Sequence, residues 1–239
     1  MGDQLHTMTS TDVGERQPSM VLIPLGATEQ HGPHLPLSTD TTIAVHWATR
    51  VAAELRAHHI AAVVAPALPY GSSGEHQMFP GTLSIGQDAL VTVLIELIRS
   101  ASADYDRIVL LSGHAGNLQP VARATVQMVH EGHDVQHLFP TWPTDAANVD
   151  AHAGRTETSL MLHLDPSAVR LSDASPGQTT PVSQLMDAMA TGGVGAVSES
   201  GVLGDPTGAS AEEGAQLLDS LVARTVAQLV TTTPAPSNE

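Results

Sequence analysis

Residues 19–58 read SMVLIPLGATEQHGPHLPLSTDTTIAVHWATRVAAELRAH. Ser19 to Pro24 is a short, almost wholly apolar run, the pattern of a strand buried on both faces. From Thr41 to His58 the Ala, Val, Trp and Leu residues recur with helical spacing. A buried strand that feeds a helix is the first half of a β-α-β unit. Working outward, the alternation repeats: Ile60 to Pro66 reads as a second strand and Gln87 to Ser102 as a second helix. Arg107 to Ser112 and Leu118 to Glu131 supply a third strand and helix, and Asp134 to Phe139 a fourth strand. Strands that alternate with helices close into a mainly parallel sheet through right-handed crossovers, with helices on both faces. The predicted fold class is therefore α/β, a three-layer α/β/α sandwich.

The C-terminal third is less regular. Helices are expected over Glu157 to Leu164, Pro181 to Ala190 and Ala211 to Val230. The glycine-rich stretch GGVGAVSESGVLGDPTGAS, Gly192 to Ser210, reads as a flexible loop able to fold over a substrate. Its Gly193-x-Gly195 pair follows no convincing strand and is weak evidence for phosphate binding. The domain expectation is a flexible arm over 1–18, one domain over 19–230 and a disordered tail over 231–239.

With 9 Lys and Arg against 25 Asp and Glu, a formal charge of −16 repels phosphate backbones and anionic membranes, so nucleic acid and membrane are not expected partners. There is no cysteine, which excludes disulfides and thiolate ligands and leaves nitrogen and oxygen to hold any metal. No apolar run approaches the roughly 18 to 20 residues that span a bilayer. The N-terminal stretch lacks a basic region followed by an apolar core, so the expected location is the cytoplasm.

Ligands of open parallel sheets bind beyond the carboxyl ends of the strands, which selects the loops to read for chemistry. The loop after the first strand, LGATEQHGPHLPLSTD, carries Glu29, His31, His34 and Asp40. The next, YGSSGEHQMFPGT, carries Glu75 and His76; SGHAGN carries His114; and DAHAGRTETS carries Asp150, His152 and Glu157. Carboxylates and imidazoles are ligands that Zn2+, Mn2+ or Fe2+ accept, and a two-metal site needs about five of them, one a bridging carboxylate, for which Asp40 is the candidate. The glycines beside His114 would let the backbone approach the metals. Taken singly, His114 could merely cap the following helix and Glu157 could be an ordinary first-turn carboxylate. Four loops that contribute at one sheet end favour a site.

These four motifs, in this order and spacing, resemble the creatininase family of metal-dependent amidohydrolases from about Val21 to Leu164. The resemblance implies two divalent metal ions, one bound by Glu29, Asp40 and His114 and the other by His31, the shared Asp40 and Glu157. It also implies a creatininase-like fold and a homo-oligomer. His152 is then the candidate proton donor to the leaving amine, or else a group that orients a ligand. His34, Glu75, His76 and Asp150 are expected to shape the pocket or support the ligands, with a buried structural role as the alternative. One departure stands out. Creatinine amidohydrolases carry a metal-binding Glu two residues after the third-strand histidine, where this chain has Gly116. That counts against creatinine as substrate. The segment from Gly192 onward, with TPVSQLMDAM before it, resembles the family's peptidase branch. This implies a modified precursor peptide as substrate, whose C-terminal Val-Tyr-derived core is released in a cofactor maturation pathway. The alternatives are hydrolysis of a small cyclic amide or formamide, or metal-dependent binding without catalysis.

Overall fold

The computed structural model describes residues 3–142 and 150–232. Four parallel strands, β1 (Met20–Leu25), β2 (Ala62–Val64), β3 (Arg107–Ser112) and β4 (Val135–Leu138), form one sheet in the order β2-β1-β3-β4. The register runs Met20 opposite Arg107 through Leu25 opposite Ser112. Successive side chains on a strand point to opposite faces. Accordingly Met20, Leu22, Val109 and Leu111 pack into one core with α2 (Thr39–Ala57), α5 (Arg155–Leu164) and α7 (Ala211–Thr232). Val21, Ile23, Ile108 and Leu110 pack into the other, against α3 (Gln87–Ala101) and α4 (Leu118–His130). Each fully buried Leu, Ile or Val contributes about 1.5–3 kcal/mol, which is what makes uninterrupted apolar strands stable between two helical layers. Trp47, completely buried on α2, satisfies its one donor by an Nε1–H bond of 3.0 Å to Thr225 Oγ1 on α7.

The strand expected over Ile60 to Pro66 is shorter in the fold, and Pro24 supplies a reason. Ala65 N–H donates to Leu22 O, so residue 24 is the next position of β1 to face β2. Pro24 has no N–H to donate, and the β2 ladder ends at Val64. The chain rejoins only at Leu68, whose N–H donates to Pro24 O.

The segment expected as a flexible arm carries ordered structure over its described residues. Gln4 bridges to Val64 in parallel, and Val64 N–H donates to Asp3 O, so the arm covers the open edge of β2. A short helix, α1 (Ser10–Arg16), follows behind a capping box of Thr9 and Asp12. The long C-terminal helix runs on to Thr232, and the tail expectation for 233–239 lies outside the described residues. No helix among the described residues is long and apolar enough to cross a membrane.

The glycine-rich segment departs most from expectation. Instead of a flexible loop it is packed: Val194 and Val202 are completely buried, and Leu203 forms a bridge with His152. Gly193, at φ +67, lies where a Cβ would stand 2.6 Å from Glu75 O, so this glycine is a close-packing device with no sign of a phosphate loop. The preceding helix α6 (Val182–Gly192), by contrast, carries no buried residue.

Candidate metal centre

The chain leaves β1 toward β2 on one side and β3 toward β4 on the other, which opens a crevice between the carboxyl ends of β1 and β3. Loop 26–38, the first turn of α2, loop 113–117 and the start of α5 converge there. Gly32 (φ +64) turns the first loop back on itself, and His31 bridges to Leu35. Asn117, completely buried, ties three loops together. Its Nδ2 donates to Gly26 O at 3.0 Å and to Ser112 Oγ at 3.3 Å, while its Oδ1 accepts from Ser72 N–H at 2.9 Å.

Three groups of potential ligands result among the described residues, each with its donor atoms within 4.8 Å of one another: Glu29, Asp40 and His114; His31, Asp40 and Glu157; and Glu29, His31 and His152. Asp40 belongs to the first two. Its Oδ2 lies 3.3 Å from His114 Nδ1 and its Oδ1 3.1 Å from His31 Nε2. Glu29 Oε1 is 3.3 Å from His114 Nδ1, and Glu157 Oε2 is 3.9 Å from His31 Nε2.

The imidazole tautomers follow from backbone carbonyls, which can only accept. His31 Nδ1–H donates to Glu29 O at 3.1 Å and His114 Nε2–H to Ser72 O at 3.0 Å. Each ring therefore turns a lone pair toward the carboxylates when neutral, the arrangement by which proteins orient metal-binding histidines. His152 follows the same rule, its Nε2–H donating to Gln30 O at 2.8 Å, so that Nδ1 faces Glu29 Oε1 at 3.8 Å.

Meanwhile Glu29 Oε1 and Oε2 and Asp40 Oδ2 are buried with no hydrogen-bond partner. Orphaned carboxylate oxygens cost several kcal/mol in a low-dielectric site, and nitrogen and oxygen donors of this kind are what divalent cations take. The residues fit a metal. Without a cation, protons take its place: burial pulls the His31 imidazole down, but Asp40, Glu157 and Glu29 outweigh it and hold the group at about 10. His114 is raised well above its ordinary value, because Glu29 and Asp40 likewise overcome burial. Burial pushes Glu157 up to about 7 against the pull of His31, and burial with the His31 and His76 charges drives His152 well down.

The remaining residues singled out in the sequence divide. His76 Nδ1 accepts from Gln30 Nε2 at 2.8 Å, which leaves its Nε2–H toward Glu29 Oε1 at 3.4 Å. Glu75 Oε1 lies 3.9 Å from His114 Nε2. His34 and Asp150 turn away from the cavity and hold α5, which carries Glu157: His34 Nε2 bonds Thr158 Oγ1 at 2.9 Å, and Asp150 Oδ2 accepts from Thr156 N–H at 2.5 Å. Gly116 proves to be a packing requirement. A Cβ there would stand 2.4 Å from Glu75 Oε1, His114 Nε2 and Ser72 O alike, so the Glu expected of a creatinine amidohydrolase has no room. Gly113 similarly lets its loop lie against Asp40 O.

Gln30 and Asn117 were not singled out in the sequence. The only local signal for either was an amide within a histidine- or glycine-rich motif, and their partners lie up to 171 positions away. Also missed were the walls of the cavity over the ligands, about 470 Å3, which include Leu118, Phe139, Trp142, Met186, Met189 and Val194.

Residues 6–229 match the family described as creatininase, creatinine amidohydrolase. The chain is 48% identical over 219 residues, 91% of its own length and 87% of the relative's, to the mycofactocin precursor peptide peptidase of Mycolicibacterium smegmatis. To the Mycobacterium tuberculosis protein of the same name it is 44% identical over 238 residues, covering 98% of this chain and 93% of that one. Among solved structures, a mutant creatininase of Zn-Zn type superposes with a TM-score of 0.81 at 25% identity, covering 98% of this chain and 100% of that one.

Proposed function

The chain belongs to the creatininase family, and on that premise we propose that it is a dinuclear metallopeptidase. Its substrate is the modified mycofactocin precursor peptide, from which it releases the C-terminal Val-Tyr-derived core. The observation that carries the dinuclear reading is Asp40, whose two oxygens face two different imidazoles in a pocket of unpartnered carboxylate oxygens.

Glu29, Asp40 and His114 would hold one cation, and His31, Asp40 and Glu157 the other. Bound there, Zn2+, Fe2+ or Mn2+ would supply an acidified water and a Lewis acid for the amide carbonyl. The protein's own groups do the rest. The carbonyls of Glu29 and Ser72 keep His31 and His114 in the tautomers that present lone pairs. His76 sets its Nε2 3.4 Å from Glu29 Oε1 and lines the same pocket. His152, tied through Nε2–H to Gln30 O, has Nδ1 free to accept the proton of the attacking water and pass it to the leaving amine, which must be protonated to depart. The 48% and 44% identical peptidases support the substrate class, as does the absence of room for a Glu at Gly116.

The test has two arms. Metal analysis of purified protein should return two equivalents of divalent metal per chain. Incubation with the decarboxylated precursor peptide, followed by mass spectrometry, should return the released C-terminal core. Opening of a lactam from a parallel panel, with every peptide left intact, would transfer the assignment to small cyclic amides. Metal binding with no turnover of either class would leave a binding protein.

A further inference from the structure

A second cavity, about 1110 Å3, adjoins the one over the ligands, and both are lined by Glu75 and Met189. It runs between the segment 72–78, the stretch Ser84 to Gln87 that leads into α3, and the C-terminal end of α6. We infer that this second cavity is a subsite for the unmodified polypeptide that precedes the scissile amide, so that the substrate threads past Glu75 and Met189 into the metal-side cavity. The inference rests on the peptidase reading and adds where the bulk of the peptide lies.

Three observations carry it. The first is adjacency: Glu75 and Met189 line both cavities, so a chain that passes these two side chains reaches both, and a small cyclic amide would occupy only the part beside the ligands. Volume is the second. About 470 Å3 lies within the ordinary range for one compact ligand, and 1110 Å3 exceeds that range, leaving space for several residues of extended chain. The metal-side cavity therefore suits the short C-terminal core, and the larger cavity the longer partner. Chemistry is the third. Apart from Glu75, the larger cavity is walled by uncharged groups, with Ser72, Gln77, Ser84 and Thr191 to bond a peptide backbone. Met78, 64% exposed, and Met189 add flexible thioethers that adapt to varied side chains. No cationic side chain among the described residues lines it, which counts against a phosphate or nucleotide and for a neutral chain.

The experiment compares two peptides with the same C-terminal core and scissile bond, one carrying a single residue before that bond and the other about six more, on the metal-loaded full chain. The longer should show kcat/KM about tenfold or more higher, mostly through KM, as remote binding provides. Thr191→Trp, which fills the cavity from an exposed position, and Ile85→Glu, which places a charge in its apolar part, should each bring the ratio of the two kcat/KM values toward one. Thermal melts identify any variant that fails to fold, and the other then decides. Equal kcat/KM for both peptides on the native chain overturns the subsite and leaves the peptidase reading standing, as does an unchanged ratio in a folded variant. Cleavage of neither peptide removes both readings.

Discussion

Replacing Gly116 by alanine inserts one methyl group into the tightest point of the site. Its carbon would stand 2.4 Å from His114 Nε2, Ser72 O and Glu75 Oε1. Glu75 can swing away, since its side chain is 32% exposed, but Ser72 O is backbone and His114 is held to it by a 3.0 Å bond. The methyl therefore wedges apart the bond that orients His114. Overpacking costs about 1–3 kcal/mol. Loss of the orienting bond adds about 1 kcal/mol. The sum, about 2–4 kcal/mol, should lower Tm by about 4–16 °C in a chain of this size. Loss of a group that orients a metal-binding histidine typically weakens metal affinity about 10–100-fold. Differential scanning fluorimetry of the metal-free protein reads the first effect, and competition with a chromophoric chelator reads the second. Gly14→Ala is the control: a Cβ there meets nothing within 4 Å, and its helical setting predicts stabilisation by about 0.4–1 kcal/mol. If Gly116→Ala melts with the native chain and binds metal with unchanged affinity, the role assigned to the His114–Ser72 contact is wrong.

Three further outcomes are expected. Asn117→Ala should destabilise the fold by about 2–4 kcal/mol in urea denaturation, because Gly26 O and Ser72 N–H are left in the interior without their partner. His152→Ala should lower kcat about 10²–10⁴-fold toward the precursor peptide while metal content stays at the native level; a native kcat would remove the proton-transfer role. Zn2+ or Mn2+ at 100 times its Kd should stabilise the metal-free protein by about 2.7 kcal/mol per site, or about 5–11 °C in Tm. No shift with either ion would argue that the orphaned oxygens of Glu29 and Asp40 serve some other end.

What the sequence determined by itself follows from short-range rules. A strand between two helical layers must be apolar throughout, and an amphipathic helix must repeat every three to four residues, so β1, β3 and α2 through α4 were legible to within a residue or two. The ligand-type residues were legible because a parallel sheet gathers its loops at one end. Tertiary structure alone decided how they meet. That Asp40 offers one oxygen to His31 and the other to His114, 74 positions later in the chain by the numbering, depends on the order β2-β1-β3-β4, which places β3 beside β1. Likewise, the rings of His31, His114 and His152 are oriented by carbonyls of Glu29, Ser72 and Gln30, partners fixed by backbone geometry that composition does not encode. Glycine content read as flexibility misjudged the 192–210 segment. The glycines around position 193 serve close packing, and Val194 and Leu203 line the cavity together with α6, because whether a glycine loosens a chain or lets two segments touch depends on what lies against it.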